Sequence, residues 1–205
     1  GGFSPYSESV GKFENIWAEI IVMMMMFVGA CNFALHYNLI VHRKPHFRSE
    51  EFNLFLVIIL LCGTAIALEK TFGQGGSFFE NFRQSIFITI SFITSTGFTT
   101  MDPNSFSLFG MVLLTMIMFI GGCAGSTAGG IKVRRIIIIA KTLFREVQRT
   151  LFPLRVIKVR LDGEPVDEGV VTRVMILTLT WVSLVLLLAV IAVLFGFDAR
   201  SAFSF

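Results

Sequence analysis

Residues 83–100 read RQSIFITISFITSTGFTT, and this stretch decides the fold of the chain. Residues 83–94 are largely apolar, and as a helix they would extend over only ~18 Å at ~1.5 Å per residue. That length is little more than half of the ~30 Å hydrocarbon core of a bilayer. A helix that ends inside a bilayer leaves backbone carbonyls without partners, which is tolerated only within protein or beside water or an ion. We therefore expect a half-helix that enters the membrane and turns back.

The residues after this half-helix offer a row of oxygen atoms. Backbone carbonyls of an extended Ser95-Thr96-Gly97-Phe98-Thr99 strand would lie at close spacing, and three of these residues add hydroxyls. Gly97 can adopt backbone angles that other residues avoid, which would turn neighbouring carbonyls the same way. The C-terminal end of the half-helix carries partial negative charge and favours a cation. A half-helix, a filter-like strand and a full helix together are typical of a selective ion pore. The alternative, an ordinary loop, leaves the short helix unexplained.

The composition is that of an integral membrane protein. Of the 205 residues, 54% are hydrophobic and only 15% are charged, a smaller charged fraction than in soluble proteins. The predicted fold class is all-α, with re-entrant helix–pore loop–helix units. Basic residues lie between apolar segments, so the positive net charge does not indicate nucleic-acid binding. The predicted spans are residues 16–37, residues 52–68, a segment from residue 106 into a Gly-rich interruption, and residues 170–197.

The basic residues orient these spans. Three lie in residues 38–51 and ten in residues 132–173, whereas four lie on the other side of the predicted membrane. The positive-inside rule places the two basic stretches in the cytoplasm. Within the second of them, alternating polar and apolar residues flank Asp162-Gly163, a typical hairpin turn. We therefore expect a cytoplasmic hairpin or extended loop in residues 153–170.

A second unusual stretch, GGCAGSTAGG at residues 121–130, interrupts the third span. Five glycines in ten residues do not favour a stable helix. One interpretation is an unwound loop beneath the filter that obstructs the pore. The other is close helix packing through glycines spaced four residues apart, and the spacing does not decide between them. A phosphate-binding loop is excluded because no Ser or Thr follows Lys132. The candidate gate residues are Gly121, Gly122, Gly125, Ser126, Thr127, Gly129 and Gly130.

Charged residues elsewhere suggest roles at the membrane surface. A basic helix from residue 131 to about residue 149 would either face lipid headgroups or dock a regulatory protein. Lys132 is expected to extend toward the headgroups rather than repel ions in the pore. Glu19 is expected to be a solvated or bonded interfacial residue rather than an ion ligand, and Asp102 to form a turn or attract cations. The predicted docking residues are Arg134, Lys141, Arg145 and Arg149.

Three motifs together resemble one family. STGFTT after a half-helix, FIGGCAGSTAGGIKVRR in the next span and NFALHY before a basic loop are similar to the TrkH-type subunit of bacterial potassium uptake systems, in the Trk/Ktr/HKT superfamily. The resemblance implies four helix–pore loop–helix repeats around one pore, of which this chain would hold a part. Residues 1–51 would hold the end of one pore loop and its inner helix. Residues 52–152 would form a complete unit, and residues 153–205 a linker and the next outer helix.

The resemblance also implies sites and partners. Gly1, Gly2 and Phe3 would form a second filter quarter, with Gly2 equivalent to Gly97, and the Gly-rich stretch would be a gate. The implied activity is potassium uptake across the cytoplasmic (inner) membrane, with K⁺ bound only at the filter and neither a covalent cofactor nor enzyme catalysis. Expected partners are the lipid bilayer, a second copy in a homodimer and a nucleotide-binding cytosolic ring. The remaining alternatives are a broken-helix alternating-access cation symporter and a non-conducting membrane scaffold.

Overall fold

A computed structural model describes residues 9–13, 15–43, 49–100, 106–152 and 157–196. The chain divides into two compact units, residues 1–134 and 135–205. A short 3-10 helix, Ser9–Phe13, begins the described part. The helices and strands that follow are α1 (Ile16–Ala30), α2 (Phe33–His42), α3 (Glu50–Gln74), α4 (Phe78–Ile93), α5 (Leu108–Ile120), α6 (Val133–Leu151), β1 (Arg160–Leu161), β2 (Glu164–Pro165) and α7 (Glu168–Leu194).

Helix α4 is the centre of the first unit and packs against α1, α3 and α5. It is the expected half-helix, although it begins at Phe78 rather than Arg83. Its 16 residues extend over ~24 Å, which is still shorter than a ~30 Å hydrocarbon core. Phe87, Ile88 and Ile93 are fully buried along it. The helix therefore ends inside protein, surrounded by its three neighbours.

The first predicted span is wrong as a continuous helix. Helix α1 ends at Ala30, α2 begins at Phe33, and the two helices are bent by 94°. The side chain of Asn32 accepts a hydrogen bond from the N–H of Ala34 at 2.8 Å and so caps α2. Asn is among the preferred residues at a helix N-cap. This cap competes with continuation of α1, which explains the break.

The other predicted spans are present with shifted ends. Among the described helices, α3 and α7 are long and apolar enough to cross a bilayer, and the bent α1–α2 pair would be a third such span. Helix α3 extends beyond the predicted residues 52–68 in both directions. Helix α5 has 13 residues and stops at Gly121, where φ is 75°. The predicted interruption of the third span by the Gly-rich stretch is therefore confirmed.

The second unit contains α6, a β-hairpin and α7. Strands β1 and β2 pair antiparallel on either side of Asp162 and Gly163, whose φ values are 52° and 86°. The predicted hairpin is therefore confirmed. The Lys141 ammonium on α6 donates a hydrogen bond to the Arg160 carbonyl at 2.8 Å, which attaches the hairpin to α6.

Candidate functional site

The end of α4 is closed by a local hydrogen-bonded turn. Ser95 adopts a left-handed conformation with φ of 54°. Its N–H donates to the Phe92 carbonyl, and the Thr96 N–H donates to the Ser91 carbonyl, each at 3.0 Å. This is the Schellman pattern that ends many helices. The last carbonyls of α4 are therefore largely satisfied within the chain, and the chain leaves the helix in a fixed direction.

Four successive carbonyls follow this turn. Those of Ser95, Thr96, Gly97 and Phe98 accept no hydrogen bond from any described residue. Gly97 has φ of 81°, and a Cβ added there would meet nothing within 4 Å. The residue is thus favoured as glycine by its backbone conformation and not by lack of space. The predicted filter carbonyls of residues 95–98 thus follow the end of the short helix without a described hydrogen-bond donor.

Thr99 differs from the four residues before it. Its carbonyl accepts hydrogen bonds from the N–H groups of Val10 and Gly11 at 3.1 and 3.2 Å. Its own N–H donates to Ser9 Oγ at 3.2 Å. Because the Thr99 carbonyl already accepts hydrogen bonds from the short 3-10 helix, only the Thr99 hydroxyl remains as the predicted ion ligand at this residue. The predicted filter residues Gly1, Gly2 and Phe3, and also Asp102, lie outside the described residues.

A cavity of about 290 Å³ lies beside the irregular segment that follows α4. Thr94, Thr96 and Phe98 line one side of it, and Thr127 of the Gly-rich stretch lines another. Helix α1 completes the lining with mainly apolar side chains. The segment after α4 and the Gly-rich stretch therefore share one cavity in the first unit.

The Gly-rich stretch is an irregular loop, which we call the Gly-rich loop and define as residues 121–132. Because it forms no helix, the alternative of helix packing through its glycines is wrong. The loop folds back on α5, since the Ile131 and Lys132 N–H groups donate to the carbonyls of Phe119 and Ile120 at 3.0 and 2.9 Å. A Cβ on Gly121 would lie 2.1 Å from the Gly129 carbonyl oxygen. Only glycine fits at this crossing without moving the backbone.

The loop is held against the break between α1 and α2. The Thr127 N–H and hydroxyl both donate to the Gly29 carbonyl, at 3.1 and 3.0 Å. The Cys123 N–H donates to the Ala30 carbonyl at 2.9 Å. Carbonyls at a helix C-terminus lack partners within the helix, so the loop supplies the donors that the end of α1 needs. On its other side, a Cβ on Gly129 would lie 3.0 Å from Ser95 Oγ, so the loop also approaches the start of the carbonyl row.

Two charged side chains hold the loop, and the sequence analysis missed both roles. The carboxylate of Glu51, only 2% exposed, accepts a hydrogen bond from the Ala124 N–H. The Lys132 ammonium bends back over the loop and donates to the Ala128 carbonyl and to the Ser126 hydroxyl at 3.3 Å. The expectation that Lys132 extends toward the headgroups is therefore wrong. Its adjacency to the glycines was a usable signal, since nearby loop carbonyls attract an ammonium group.

An ion pair ties α4 to α1. The Arg83 guanidinium binds the carboxylate of Glu19, and both side chains are mostly buried. Glu19 is therefore bonded, as the first of its two predicted roles allows, rather than free to act as an ion ligand. The pair lies in the N-terminal part of both helices, so it fixes the position of α4 along α1.

The four predicted docking residues are not equivalent. Arg134 and Arg149 are exposed. Arg145 is only 5% exposed, and its guanidinium binds Glu146 at 3.1 Å and also Glu168. Arg145 is a predicted docking residue, but in the structure its buried charge ties α6 to the first residue of α7. Lys141 is half-buried and, as described above, binds the hairpin.

Comparisons with known proteins identify consistent relatives. The family model described as TrkH, cation transport protein, matches residues 76–198. The Trk system potassium uptake protein TrkH of Vibrio parahaemolyticus is 36% identical over 211 residues, which cover 100% of this chain and 43% of the relative. TrkH of Escherichia coli K12 is 32% identical over 212 residues, again covering 100% of this chain and 43% of the relative.

A solved structure of a TrkH protein is also similar to this chain. The crystal structure of the potassium transporter TrkH from Vibrio parahaemolyticus matches with a TM-score of 0.91 and 33% identity. The match covers 100% of this chain and 45% of that chain. The chain thus spans less than half the length of the relatives it matches.

Proposed function

The chain belongs to the TrkH cation transport family, and on that premise we propose that it contributes part of a potassium-selective pore for K⁺ uptake across the cytoplasmic membrane. The observation that carries the proposal is the row of unpaired carbonyls from Ser95 to Phe98 at the end of α4. Carbonyl oxygens at close spacing replace the water around an alkali cation. The C-terminal end of α4 adds partial negative charge at the same place.

The position of the Gly-rich loop supports a second part of the proposal, that this loop is the gate. It shares a cavity with the carbonyl row through Thr127 and approaches Ser95 through Gly129. Glycine at five of the ten positions in residues 121–130 makes the backbone easy to rearrange. Opening would break the hydrogen bonds from the loop to the end of α1 and to the Glu51 carboxylate. It would also break the bonds that the Lys132 ammonium makes to residues 126 and 128 of the loop.

The proposal extends to the whole protein. Residues 1–51, 52–152 and 153–205 would belong to three successive repeats, and the remaining repeats would complete the ring around the pore. K⁺ would be the only ion held, at the filter, without a covalent cofactor or a catalytic residue. A homodimer and a nucleotide-binding cytosolic ring would be its partners, with exposed Arg134 and Arg149 as the docking residues that remain from the sequence analysis.

Rubidium flux tests the proposal in liposomes that contain the full-length protein. A pore gives fast flux of Rb⁺ that responds to the membrane potential and does not require a Na⁺ or H⁺ gradient. An alternating-access symporter gives slow, saturating flux that stops when the coupling gradient is removed. Absence of flux from correctly folded protein would indicate a scaffold. Deletion of residues 122–129 should raise flux if the loop is the gate, and normal or abolished flux in a folded variant would contradict that role.

A further inference from the structure

A cationic cavity lies in the second unit, apart from the carbonyl row. Its volume is about 410 Å³, and α6 and the residues leading into β1 line it. Four of its lining residues carry positive charge, and none of its described lining residues is acidic. Gln148 adds an amide that can donate hydrogen bonds. The cationic lining residues are Lys141, Arg145, Lys158 and Arg160.

Part of this positive charge is not neutralised. Arg145 binds two carboxylates, and Lys141 binds the Arg160 carbonyl. The side chains of Lys158 and Arg160 are exposed and have no ion-pair partner in the described part of the chain. The mouth of the cavity therefore holds two cations that are free to bind an anion.

The ion pair of Arg145 with Glu168 places the cavity beside the N-terminal end of α7. Glu168 is the first residue of α7, an apolar helix of 27 residues that is long enough to cross a bilayer. Little of the apolar span is buried by the described residues of this chain. A cavity lined by Arg145 must then lie where α7 enters the membrane, at the level of the lipid headgroups.

The apolar part of the lining matches this depth. Phe144 lines the cavity and is 64% exposed. Leu143 and Val147, its neighbours on α6, are also exposed. Cations beside exposed apolar side chains are the arrangement by which an amphipathic helix binds an anionic membrane surface.

We propose that this cavity binds the phosphate headgroup of an anionic phospholipid in the cytoplasmic leaflet. Lys158 and Arg160 contact the phosphate from the hairpin side, while Arg145 and Lys141 shape the base of the cavity. Phe144 contacts the upper part of an acyl chain. The site is independent of the carbonyl row and does not require the chain to conduct potassium.

Native mass spectrometry of the full-length protein tests the site, with phosphatidylglycerol compared with phosphatidylcholine. Near an anionic surface each basic residue contributes ~1 kcal/mol, or roughly fivefold in affinity. Lys158→Gln and Arg160→Gln should therefore each weaken phosphatidylglycerol binding about fivefold, and the double variant more. Binding of phosphatidylcholine should stay unchanged. Lys158→Arg should keep full binding because it keeps the charge.

Arg173→Gln is the matched control, because it removes an exposed charge from the same end of α7 but outside the cavity. It should retain most of the phosphatidylglycerol binding. Equal binding by the wild type and the double variant would overturn the proposal. An equal loss in Arg173→Gln would also overturn it, since the effect would then be general surface charge. Retained lipid binding with lost binding of a cytosolic protein would assign the cavity to that protein instead.

Discussion

The buried carboxylate of Glu51 accepts a hydrogen bond from the backbone N–H of Ala124, 73 residues further along the chain. The bond joins the first turn of α3 to the Gly-rich loop. A buried N–H that loses its acceptor costs ~1–3 kcal/mol. Glu51 therefore stabilises the observed position of the loop relative to any position in which this bond is broken.

Removal of the Glu51 carboxylate should open the proposed gate. Glu51→Ala leaves the Ala124 N–H without an acceptor, whereas Glu51→Gln keeps an acceptor oxygen at nearly the same place. A cost of about 1.4 kcal/mol to the closed position corresponds to a tenfold change in the equilibrium. We expect rubidium flux to rise up to tenfold in Glu51→Ala and to change little in Glu51→Gln. Wild-type flux in a folded Glu51→Ala protein would contradict this role.

Lys132 should act in the same direction from the opposite end of the loop. Its ammonium binds the Ala128 carbonyl and the Ser126 hydroxyl, and Lys132→Met removes these bonds while keeping the apolar stem. We expect a severalfold rise in rubidium flux in liposomes. Arg134→Gln, which removes an exposed charge two residues away, is the control and should leave flux unchanged in liposomes that lack the cytosolic ring. If both variants behave alike, the effect is one of net charge and not of loop contacts.

Gly97→Ser should weaken selectivity for K⁺ over Na⁺. A side chain at φ of 81° costs roughly 1–2 kcal/mol in this left-handed region, and the neighbouring carbonyls turn to relieve it. Gly163→Ser is a matched control, since Gly163 has φ of 86° and equally open space around its Cβ position. Reversal potentials under K⁺ and Na⁺ gradients measure the effect. Unchanged selectivity in Gly97→Ser would refute the assignment of the filter.

The ion pair between Glu19 and Arg83 should stabilise the packing of α4 against α1. Removing one partner of a fully buried pair costs ~3–5 kcal/mol, and we expect roughly 1–3 kcal/mol here because both side chains keep some exposure. Glu19→Gln and Arg83→Gln should each lower the unfolding temperature of the full-length protein. The free energy of unfolding should fall less in the double variant than the sum of its decreases in the two single variants. Strict additivity in this double-mutant cycle would show that the pair contributes nothing.

Features that depend on nearby residues were predictable from the sequence. The short length of α4, the unwinding at residues 121–130 and the turn at Asp162-Gly163 each follow from local composition. Apolar length, glycine density and turn preference act over a few residues, so no knowledge of distant contacts is needed. The prediction of a filter in residues 95–99 rests on the same local reasoning.

Features that depend on distant contacts were missed or misread. The break after Ala30 arises because Asn32 caps α2 and because the Gly-rich loop satisfies the end of α1. The Thr99 carbonyl accepts hydrogen bonds from the N–H groups of Val10 and Gly11, about 90 residues earlier in the chain. The sequence did not single out Glu51, whose carboxylate binds a loop far along the chain. Of these three features, only the break had a signal in the sequence, namely Asn32, a preferred N-cap residue within an apolar segment.

The most direct measurement is an anomalous difference map from crystals of the full-length protein grown with Rb⁺. The account predicts an anomalous peak in direct contact with carbonyl oxygens of residues 95–98, and persistence of that peak when Na⁺ is added in excess over Rb⁺. A peak elsewhere along the pore, with these four carbonyls turned away from it or bound to protein donors, would contradict the account.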